Sequence, residues 1–268
     1  MLYNLHEGGA RVRGSVMRYV RFGRGERRLV ALPGLSDGLA TVRGKGLLLA
    51  PPYRRWLDRF TVYIFSRVDA LPAGHTIRDM AADQAEAMEQ LGIDRASVLG
   101  VSQGGMIAQL LAADHPQRVE KLVLAVTAPN ANATVRAAVG AWIGMAERGD
   151  HRQLMADTAE KSYTEARLRR YRKLYPLLGL VGKPRSYDRF LVNARAILGF
   201  DARADLPAIA CPTLILGGGI DQTVGPDAAS ELHARIPGSR LHIYPDLGHA
   251  AYEDAPDFYA RVFAFLEE

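Results

Sequence analysis

One serine in the chain has the sequence context of a nucleophile. It lies in Gly100-Val101-Ser102-Gln103-Gly104-Gly105, between the predicted strand Ser97–Gly100 and the predicted helix Met106–Ala113. A Gly-x-Ser-x-Gly sequence at a strand–turn–helix junction is typical of a sharp turn that raises the serine hydroxyl above a sheet. The positive end of the following helix would favour the anion that forms when this hydroxyl attacks a carbonyl carbon. We therefore interpret Ser102 as a nucleophile, with a structural turn serine as the alternative.

A serine hydroxyl needs a base, and seven histidines compete for that role. His249 follows the last predicted strand and precedes the final helical pattern, which predicts a loop at the sheet edge that carries Ser102. His75 is the other histidine expected in a loop. The remaining histidines fall at the terminus, at a helix end, in helical patterns or within a strand: His6, His115, His151, His233 and His242. We expect His249 to be the base.

The acid can be assigned by elimination. The predicted strand Lys121–Val126 is followed by no Asp or Glu until Glu147, so the loop after it cannot supply a carboxylate. The next predicted strand, Thr213–Leu216, runs through three glycines and an isoleucine into Asp221. That aspartate would orient the histidine and stabilise its charged form, and the chain order Ser, Asp, His is the expected one. Asp246 is the rival, and we expect it to brace the histidine loop instead.

The anion formed during acyl transfer needs two backbone N–H donors. One is expected from Gln103, directly after the nucleophile. The second is expected from the loop Leu32-Pro33-Gly34-Leu35-Ser36-Asp37-Gly38, which follows the predicted strand Arg28–Leu32. We predict Leu35 as this donor, because Gly34 would let the backbone approach a substrate. A plain turn is the alternative for this loop.

Apolar runs and helical patterns alternate along the chain, as they do in βαβ units. The clearest helical pattern is Ile77–Leu91, which begins with Thr76 and Asp79 placed as a capping box. The sequence therefore predicts an α/β fold, with a mostly parallel central sheet flanked by helices. The predicted strands are Val16–Arg21, Arg28–Leu32, Phe60–Phe65, Ser97–Gly100, Lys121–Val126, Thr213–Leu216 and Arg240–Tyr244.

The alternation stops between residues 129 and 206. Four helical patterns follow one another there: Ala131–Arg148, His151–Lys161, Glu165–Leu178 and Ser186–Leu198. A helical insert between two sheet strands indicates a cap over residues 129–206, with a core formed by residues 1–128 and 207–268. Trp142, Met145 and Leu177 could line a substrate pocket beneath the cap, although such residues more often pack a lid onto its core.

Length and composition fit one α/β domain with an inserted subdomain. The chain has 268 residues, of which 48% are apolar and 24% charged, as in ordinary globular proteins. The single cysteine, Cys211, excludes an internal disulfide. The first residues lack the apolar core of a secretory signal, and no uninterrupted apolar stretch of about 18 residues occurs. We expect a cytoplasmic location and no membrane partner.

The basic residues form two clusters within a formal net charge of +5. Seven arginines lie between Arg11 and Arg28, and nine lysines or arginines lie between Lys161 and Arg189. Such surfaces could attract nucleic acid or an acidic substrate. No nucleic-acid-binding or Gly-rich phosphate motif accompanies them. We interpret both clusters as solvated surface and expect no nucleic-acid partner.

With these residues placed, the chain resembles the α/β-hydrolase superfamily over essentially its whole length. It is most similar to cap-bearing esterases and lactonases, including 3-oxoadipate enol-lactonase-like proteins. The resemblance rests on the segment around Ser102, on Cys211-Pro212-Thr213-Leu214-Ile215-Leu216-Gly217 with Asp221, and on Gly248-His249. It implies the α/β-hydrolase fold, a Ser–His–Asp triad, no metal or organic cofactor, and a buried, non-nucleophilic Cys211.

Two stretches depart from the pattern of these relatives. Pro33-Gly34 stands where His-Gly is usual, and residues 66–76 replace an Asp-x-Arg-Gly-x-Gly-x-Ser stretch. The triad is unaffected by either departure. A haloalkane dehalogenase is disfavoured, because that branch would require a carboxylate at position 102.

The residues and the resemblance together predict a serine hydrolase that cleaves a carboxylic ester or lactone of a small molecule through an acyl-enzyme. Several alternatives stay open. A peptidase, an acyltransferase or a cofactor-free perhydrolase would use the same three side chains. A non-catalytic ligand-binding receptor would use only the pocket, and a nucleic-acid-binding protein would use the arginines. Homo-oligomerisation is also possible.

Overall fold

Eight strands form one sheet in residues 2–178 and 182–268, the parts of the chain that the computed structural model describes. The strands are β1 (His6–Val12), β2 (Ser15–Gly23), β3 (Arg27–Leu32), β4 (Phe60–Val68), β5 (Ala96–Val101), β6 (Val119–Ala125), β7 (Thr213–Gly218) and β8 (Arg240–Tyr244). Their order across the sheet is β1-β2-β4-β3-β5-β6-β7-β8. Strand β2 runs antiparallel to both of its neighbours, and every other pairing is parallel. The predicted mostly parallel sheet is confirmed.

Helices cover both faces of this sheet. The α-helices of the described residues are α1 (Gly46–Leu49), α2 (Ile77–Gln90), α3 (Gln103–Asp114), α4 (Ala133–Glu147), α5 (His151–Ser162), α6 (Glu165–Tyr171), α7 (Tyr175–Leu178), α8 (Asp188–Leu198), α9 (Ala228–Arg235), α10 (Ala251–Asp254) and α11 (Phe258–Glu267). Successive residues of a strand point to opposite faces. Accordingly Val30 packs in one buried cluster with Met106 of α3, whereas Leu29 packs in a second cluster with Phe263 of α11.

The start of α2 agrees with the capping box predicted from the sequence. The Asp79 backbone N–H donates to the Thr76 hydroxyl at 3.1 Å, and the Thr76 backbone N–H donates to the Asp79 carboxylate at 3.0 Å. These two bonds satisfy N–H groups that have no partner within the helix.

Strand β1 and the helix predicted over Glu165–Leu178 differ from the sequence-based expectation. Strand β1 was not predicted, because Gly8 and Gly9 interrupt its apolar pattern; it forms by pairing with β2 across the turn at Arg13 and Gly14. The helix predicted over Glu165–Leu178 divides into α6 and α7, separated by a 3-10 turn at Arg172–Leu174. Pro176 lacks the N–H that a continuous helix would use, which accounts for the break.

The segment between β6 and β7 is helical, as predicted. In the described residues it contains α4 to α8, and its two ends meet where Asn130 bridges Asp201. The Ala131 N–H donates to Phe200 O at 2.9 Å, and the Ala202 N–H donates to Pro129 O at 2.8 Å. The division into core and cap at residues 129–206 remains a prediction.

No helix within residues 2–178 and 182–268 combines the length and the apolar character needed to cross a bilayer.

Candidate active site

Ser102 occupies the turn between β5 and α3 with a backbone conformation that is unusual for a residue other than glycine. Its φ is 54° and its ψ is −119°. The turn is held by neighbouring strands, because the Ser102 N–H donates to Ala125 O at 2.9 Å and the Thr127 hydroxyl donates to Ser102 O at 2.7 Å. Positive φ in a side-chain-bearing residue costs on the order of 1–3 kcal/mol and persists where surrounding contacts enforce it.

Gly104 allows this turn to pack closely against the sheet. A Cβ atom at Gly104 would lie 1.9 Å from Leu32 O, a distance that no real side chain tolerates. The glycine therefore lets the first turn of α3 approach the end of β3. Leu32 leads into the loop with the predicted donor Leu35, so the same close approach brings that loop to the serine.

The structure brings Ser102, His249 and Asp221 together from three separate loops. His249 Nε2 lies 2.9 Å from Ser102 Oγ, and His249 Nδ1 lies 2.8 Å from Asp221 Oδ2. His249 is 7% exposed and Asp221 is 2% exposed. The other carboxylate oxygen, Oδ1, accepts the backbone N–H groups of Thr223 and Val224 at 2.8 and 2.9 Å. These bonds fix the carboxylate, which in turn can fix the orientation of the imidazole.

A close approach of two loops makes the His249–Asp221 contact possible. A Cβ atom at Gly218, the last residue of β7, would lie 2.4 Å from Gly248 O. A larger residue at position 218 would separate the aspartate loop from the histidine loop. The glycines at the end of β7 thus let Asp221 and His249 come within hydrogen-bond distance.

The rival residues considered from the sequence lie elsewhere. Asp246 is exposed on the surface. His75 is buried and its Nε2 lies 2.7 Å from Asp83 Oδ2. It lines a cavity of about 490 Å³ between α2, α3 and α8, whose lining includes Ile77 and Val192 but none of the three residues Ser102, Asp221 and His249.

The two chain segments that carry the predicted oxyanion donors lie beside Ser102. Gly34 is so close that a Cβ atom there would lie 3.3 Å from Ser102 Cβ and 3.7 Å from its Oγ. Leu35 follows as the first residue of a 3-10 turn, Leu35–Gly38. Gln103 is the first residue of α3, where a helix leaves its N–H groups without internal partners. Neither the Leu35 nor the Gln103 backbone N–H donates to another described residue.

A buried ion-pair cluster, which no sequence pattern predicts, lies next to these donors. Arg67 at the end of β4 donates from Nη2 to Gln103 Oε1 at 2.9 Å. Arg67 also pairs with the buried carboxylate of Asp37, and Arg189 of α8 donates to the same carboxylate at 2.6 Å. Desolvation lowers the pKa of Arg67 to about 10, so it stays charged at neutral pH. An arginine near the end of a mostly apolar strand is the signal that the sequence offers.

The interpretation of the basic clusters as solvated surface is wrong for Arg189. Its side chain is 15% exposed, and it also donates to the carbonyl oxygens of Arg67 and Val68 at 2.9 and 3.2 Å. Other members of the clusters form ion pairs at the surface, including Arg18 with Asp69 and Arg172 with Glu160 and Glu165.

The three predicted substrate contacts are less well placed. Trp142 and Met145 of α4 are 5% and 7% exposed and pack in the same buried cluster as the sheet face. The Trp142 Nε1–H donates to Asp157 Oδ2 of α5 at 2.7 Å, which holds the indole between helices. The side chain of Leu177 lies outside the described part of the chain. These contacts remain predictions.

Two further groups bear on the chemistry. No set of three or more His, Cys, Asp or Glu side chains in residues 2–178 and 182–268 is arranged to hold a metal ion. Cys211 lies two residues before β7 and is half-buried, not fully buried as expected, and this burial raises the pKa of its thiol. A raised pKa keeps the thiol protonated and unreactive at neutral pH.

Comparison with known proteins identifies the family of the chain. The sequence profile of the alpha/beta hydrolase fold family matches residues 49–256. The chain is 30% identical to RutD, a candidate carbamate hydrolase from Caulobacter sp. strain K31, over 87% of this chain and 89% of that protein. It is 28% identical to the pimeloyl-[acyl-carrier protein] methyl ester esterase of Nitrosomonas europaea, over 73% of this chain and 82% of the esterase.

A solved structure shares the fold at low sequence identity. The enol-lactonase from Burkholderia xenovorans LB400 superposes with a TM-score of 0.80 at 24% identity, covering 97% of this chain and all of the lactonase. At this identity the likeness shows the fold alone. The profile match spans well over half of the chain, and the relatives cover most of its length. The resemblance stated from the sequence and the expectation of a hydrolase are both confirmed: this chain belongs to the α/β-hydrolase fold family.

Proposed function

We propose that the chain is a serine hydrolase that cleaves a carboxylic ester or lactone of a small molecule through an acyl-enzyme. The observation that carries the proposal is the continuous hydrogen-bonded series from Asp221 through His249 to Ser102, with contacts of 2.8 and 2.9 Å. The serine is the strained, positive-φ residue of that series. Strain of this kind clusters at functional sites.

The proton chemistry follows from the two contacts of the imidazole. With Nδ1–H donating to Asp221 Oδ2, the neutral ring leaves Nε2 free to accept the Ser102 Oγ proton. Oγ then attacks the carbonyl carbon of the substrate. The buried carboxylate stabilises the imidazolium that forms. Nε2–H next protonates the leaving oxygen, and a water activated by the same nitrogen releases the acid.

The tetrahedral anion would be held by the backbone N–H groups of Leu35 and Gln103. The N-terminal dipole of α3 adds to this stabilisation, because the helix begins directly after the serine. Loss of one such donor typically costs about 3 kcal/mol of barrier lowering.

Residues 129–206 are proposed to form a cap over this site. Two of its contacts support the proposal. Arg189 of α8 bonds to Asp37 in the loop of the Leu35 donor, and Ser162 O at the end of α5 accepts the N–H of Ala250, next to His249, at 2.9 Å. The segment therefore touches both loops that flank the nucleophile.

The substrate class is proposed from the chemistry of the bond and from the relatives. The Nitrosomonas relative is named for a methyl ester, and the Caulobacter relative for a carbamate. Both bonds present a carbonyl carbon to a serine nucleophile. We favour an ester or lactone, because an alkoxide leaving group needs less protonation by His249 than an amine does.

Covalent labelling and turnover together test the proposal. A fluorophosphonate probe should label the native protein and fail to label Ser102→Ala. Turnover of p-nitrophenyl acetate, a γ-lactone and an aryl carbamate should fall to background in the same variant. Ser230→Ala, at an exposed position of α9, is the matched control and should keep both.

Two results would speak against the proposal. Full turnover in Ser102→Ala would show that another nucleophile or no covalent step operates. Labelling of the native protein without turnover of any ester, lactone or carbamate would favour a peptidase, an acyltransferase or a ligand-binding receptor.

A further inference from the structure

Arg67 lies between the two chain segments that carry the proposed oxyanion donors. Its guanidinium donates from Nη2 to the side chain of Gln103 at 2.9 Å. Its backbone N–H donates to Asp37 Oδ2 at 3.0 Å, and its Nη1 lies 3.8 Å from the same oxygen. Asp37 belongs to the turn Leu35–Gly38. One residue therefore contacts the segment of each donor.

A guanidinium in this position is costly for folding. The side chain is 1% exposed, and its Nε and Nη1 have no hydrogen-bond partner among the described residues. Burial lowers the pKa of Arg67, and the nearby Asp37 carboxylate only partly opposes this effect. Incompletely paired buried charge destabilises a fold relative to an apolar side chain of similar size. If this side chain served packing alone, a methionine of similar size would fill the same space without the cost of burying a charge.

We propose that Arg67 is a positioning residue that holds the N–H groups of Leu35 and Gln103 at the separation required by the tetrahedral anion. The inference rests on the proposed function. Arg67 acts through the Gln103 side chain and the Asp37 carboxylate, and it touches neither the substrate nor the reacting atoms. Movement of either donor weakens the bonds to the anion more than it weakens substrate binding, because those bonds are strongest in the transition state.

A purely structural role is the competing explanation, since the same cluster also joins α8. Arg189 donates to Asp37 Oδ2 at 2.6 Å, and Gln103 Nε2 donates to Asn193 O at 3.1 Å. A residue that only fastened α8 to the sheet would change stability and substrate affinity when it was removed. A positioning residue changes the rate of the chemical step. The two roles therefore alter different kinetic constants.

Arg67→Met in the full chain distinguishes these roles. With p-nitrophenyl acetate, kcat is expected to fall by about 10- to 100-fold, while KM stays within about 3-fold of the native value. The inhibition constant of a trifluoromethyl ketone, which adds to the serine as a tetrahedral anion, should rise by about the factor by which kcat/KM falls. Arg118→Met is the matched control. Arg118 pairs with Glu89 at 3.0 Å and directly precedes β6, so it lies at the amino-terminal end of the strands, away from Ser102. Its loss should leave kcat within about 2-fold of the native value.

A second variant tests the connection to Gln103 and serves if Arg67→Met does not fold. Gln103→Leu removes the acceptor of the Arg67 bond and keeps the backbone N–H. Like Arg67→Met, this variant should lower kcat. If Arg67 acts through Gln103, the double variant will lose less than the product of the two single losses.

The inference is overturned if folded Arg67→Met keeps its kcat, if only KM changes, or if the two losses multiply fully. Fluorophosphonate labelling of the same samples separates this failure from a failure of the proposed function. If labelling still depends on Ser102, the proposed nucleophile is supported and only the positioning role of Arg67 is rejected. Turnover that survives Ser102→Ala would overturn both.

Discussion

The carbonyl oxygen of Ser162 accepts a hydrogen bond of 2.9 Å from the backbone N–H of Ala250, the residue that follows His249. Ser162 ends α5, so the helical segment between β6 and β7 is joined directly to the histidine loop. The junction continues outward, because the Tyr163 hydroxyl donates to Glu253 Oε2 at 2.9 Å and Arg167 pairs with Glu253 and Asp254. Movement of α5 and α6 would therefore be transmitted to the base.

Arg167→Met should loosen this junction. The guanidinium also stacks on the Tyr163 ring at 4.3 Å, so the substitution removes both ion pairs and a cation–π contact. Amide hydrogen exchange in α6 is expected to accelerate by about 5-fold, which corresponds to on the order of 1 kcal/mol of local stability. Arg169→Met, at a side chain that is 77% exposed, is the control. Equal exchange in the two variants would show that the junction does not hold α6.

Asp221→Asn should impair turnover without disturbing the fold. An asparagine keeps the size of the side chain but removes the charge that stabilises the imidazolium and favours the Nδ1–H tautomer. We expect kcat to fall by about 10³- to 10⁴-fold, with an unchanged circular dichroism spectrum. Asp246→Asn, on the exposed part of the histidine loop, should leave kcat within about 2-fold. A comparable loss in Asp246→Asn would contradict the assignment of the acid.

Two glycine substitutions should change the free energy of unfolding in opposite directions. Gly104→Ala places a Cβ atom 1.9 Å from a carbonyl oxygen of β3, so we expect a loss of more than about 3 kcal/mol in the free energy of unfolding. Gly140→Ala, in the middle of α4, meets nothing within 4 Å and should stabilise by up to about 1 kcal/mol. Urea titrations of both variants measure the effects. A folded, active Gly104→Ala protein would show that the turn can relax.

The capping box of α2 should contribute a pH-dependent part of the stability. Hydrogen bonds from the Thr76 side chain and backbone lower the pKa of Asp79 below its ordinary value near 3.8. An acid whose pKa is lower in the folded chain stabilises the fold above its unfolded pKa, and this contribution is lost as the pH falls through the folded value. Thr76→Ala should therefore cost about 1 kcal/mol at pH 7 and less below about pH 3.8.

Urea unfolding of the native and variant proteins at both pH values checks this expectation. Asp94→Asn removes a carboxylate that is 97% exposed and should not change the free energy of unfolding at either pH. If the difference in the free energy of unfolding between the native protein and Thr76→Ala is the same at both pH values, the contribution of the cap does not depend on the charge of Asp79.

Elements with a strong periodic pattern could be predicted from the sequence, and elements that depend on distant partners could not. Strand β8 agrees with its predicted bounds, because its residues favour a strand by themselves. Strand β1 exists only because β2 pairs with it, and its glycines carry no local signal. The sequence predicts Ser102, Asp221 and His249 together because each lies in the segment that follows a strand, at the same edge of the sheet.

The buried cluster behind the donors shows why the rest could not be predicted. Arg67, Asp37 and Arg189 come from three parts of the chain, and each has an ordinary surface interpretation when it is read alone. The sequence pattern predicts that Arg189 lies on a solvated helix face, yet its charge is balanced by the Asp37 carboxylate, 152 positions away. Pairing across such separations depends on the packing of α8 against the sheet, which no local pattern specifies.

The positive φ of Ser102 has a consequence for how this chain would respond to selection. Glycine accepts that dihedral angle without the steric penalty borne by serine, so Ser102→Gly is expected to raise the melting temperature while it removes the reactive hydroxyl. Selection for thermal stability without an activity screen would then favour variants that have lost catalytic activity. At this position, a substitution that raises thermal stability removes the nucleophile.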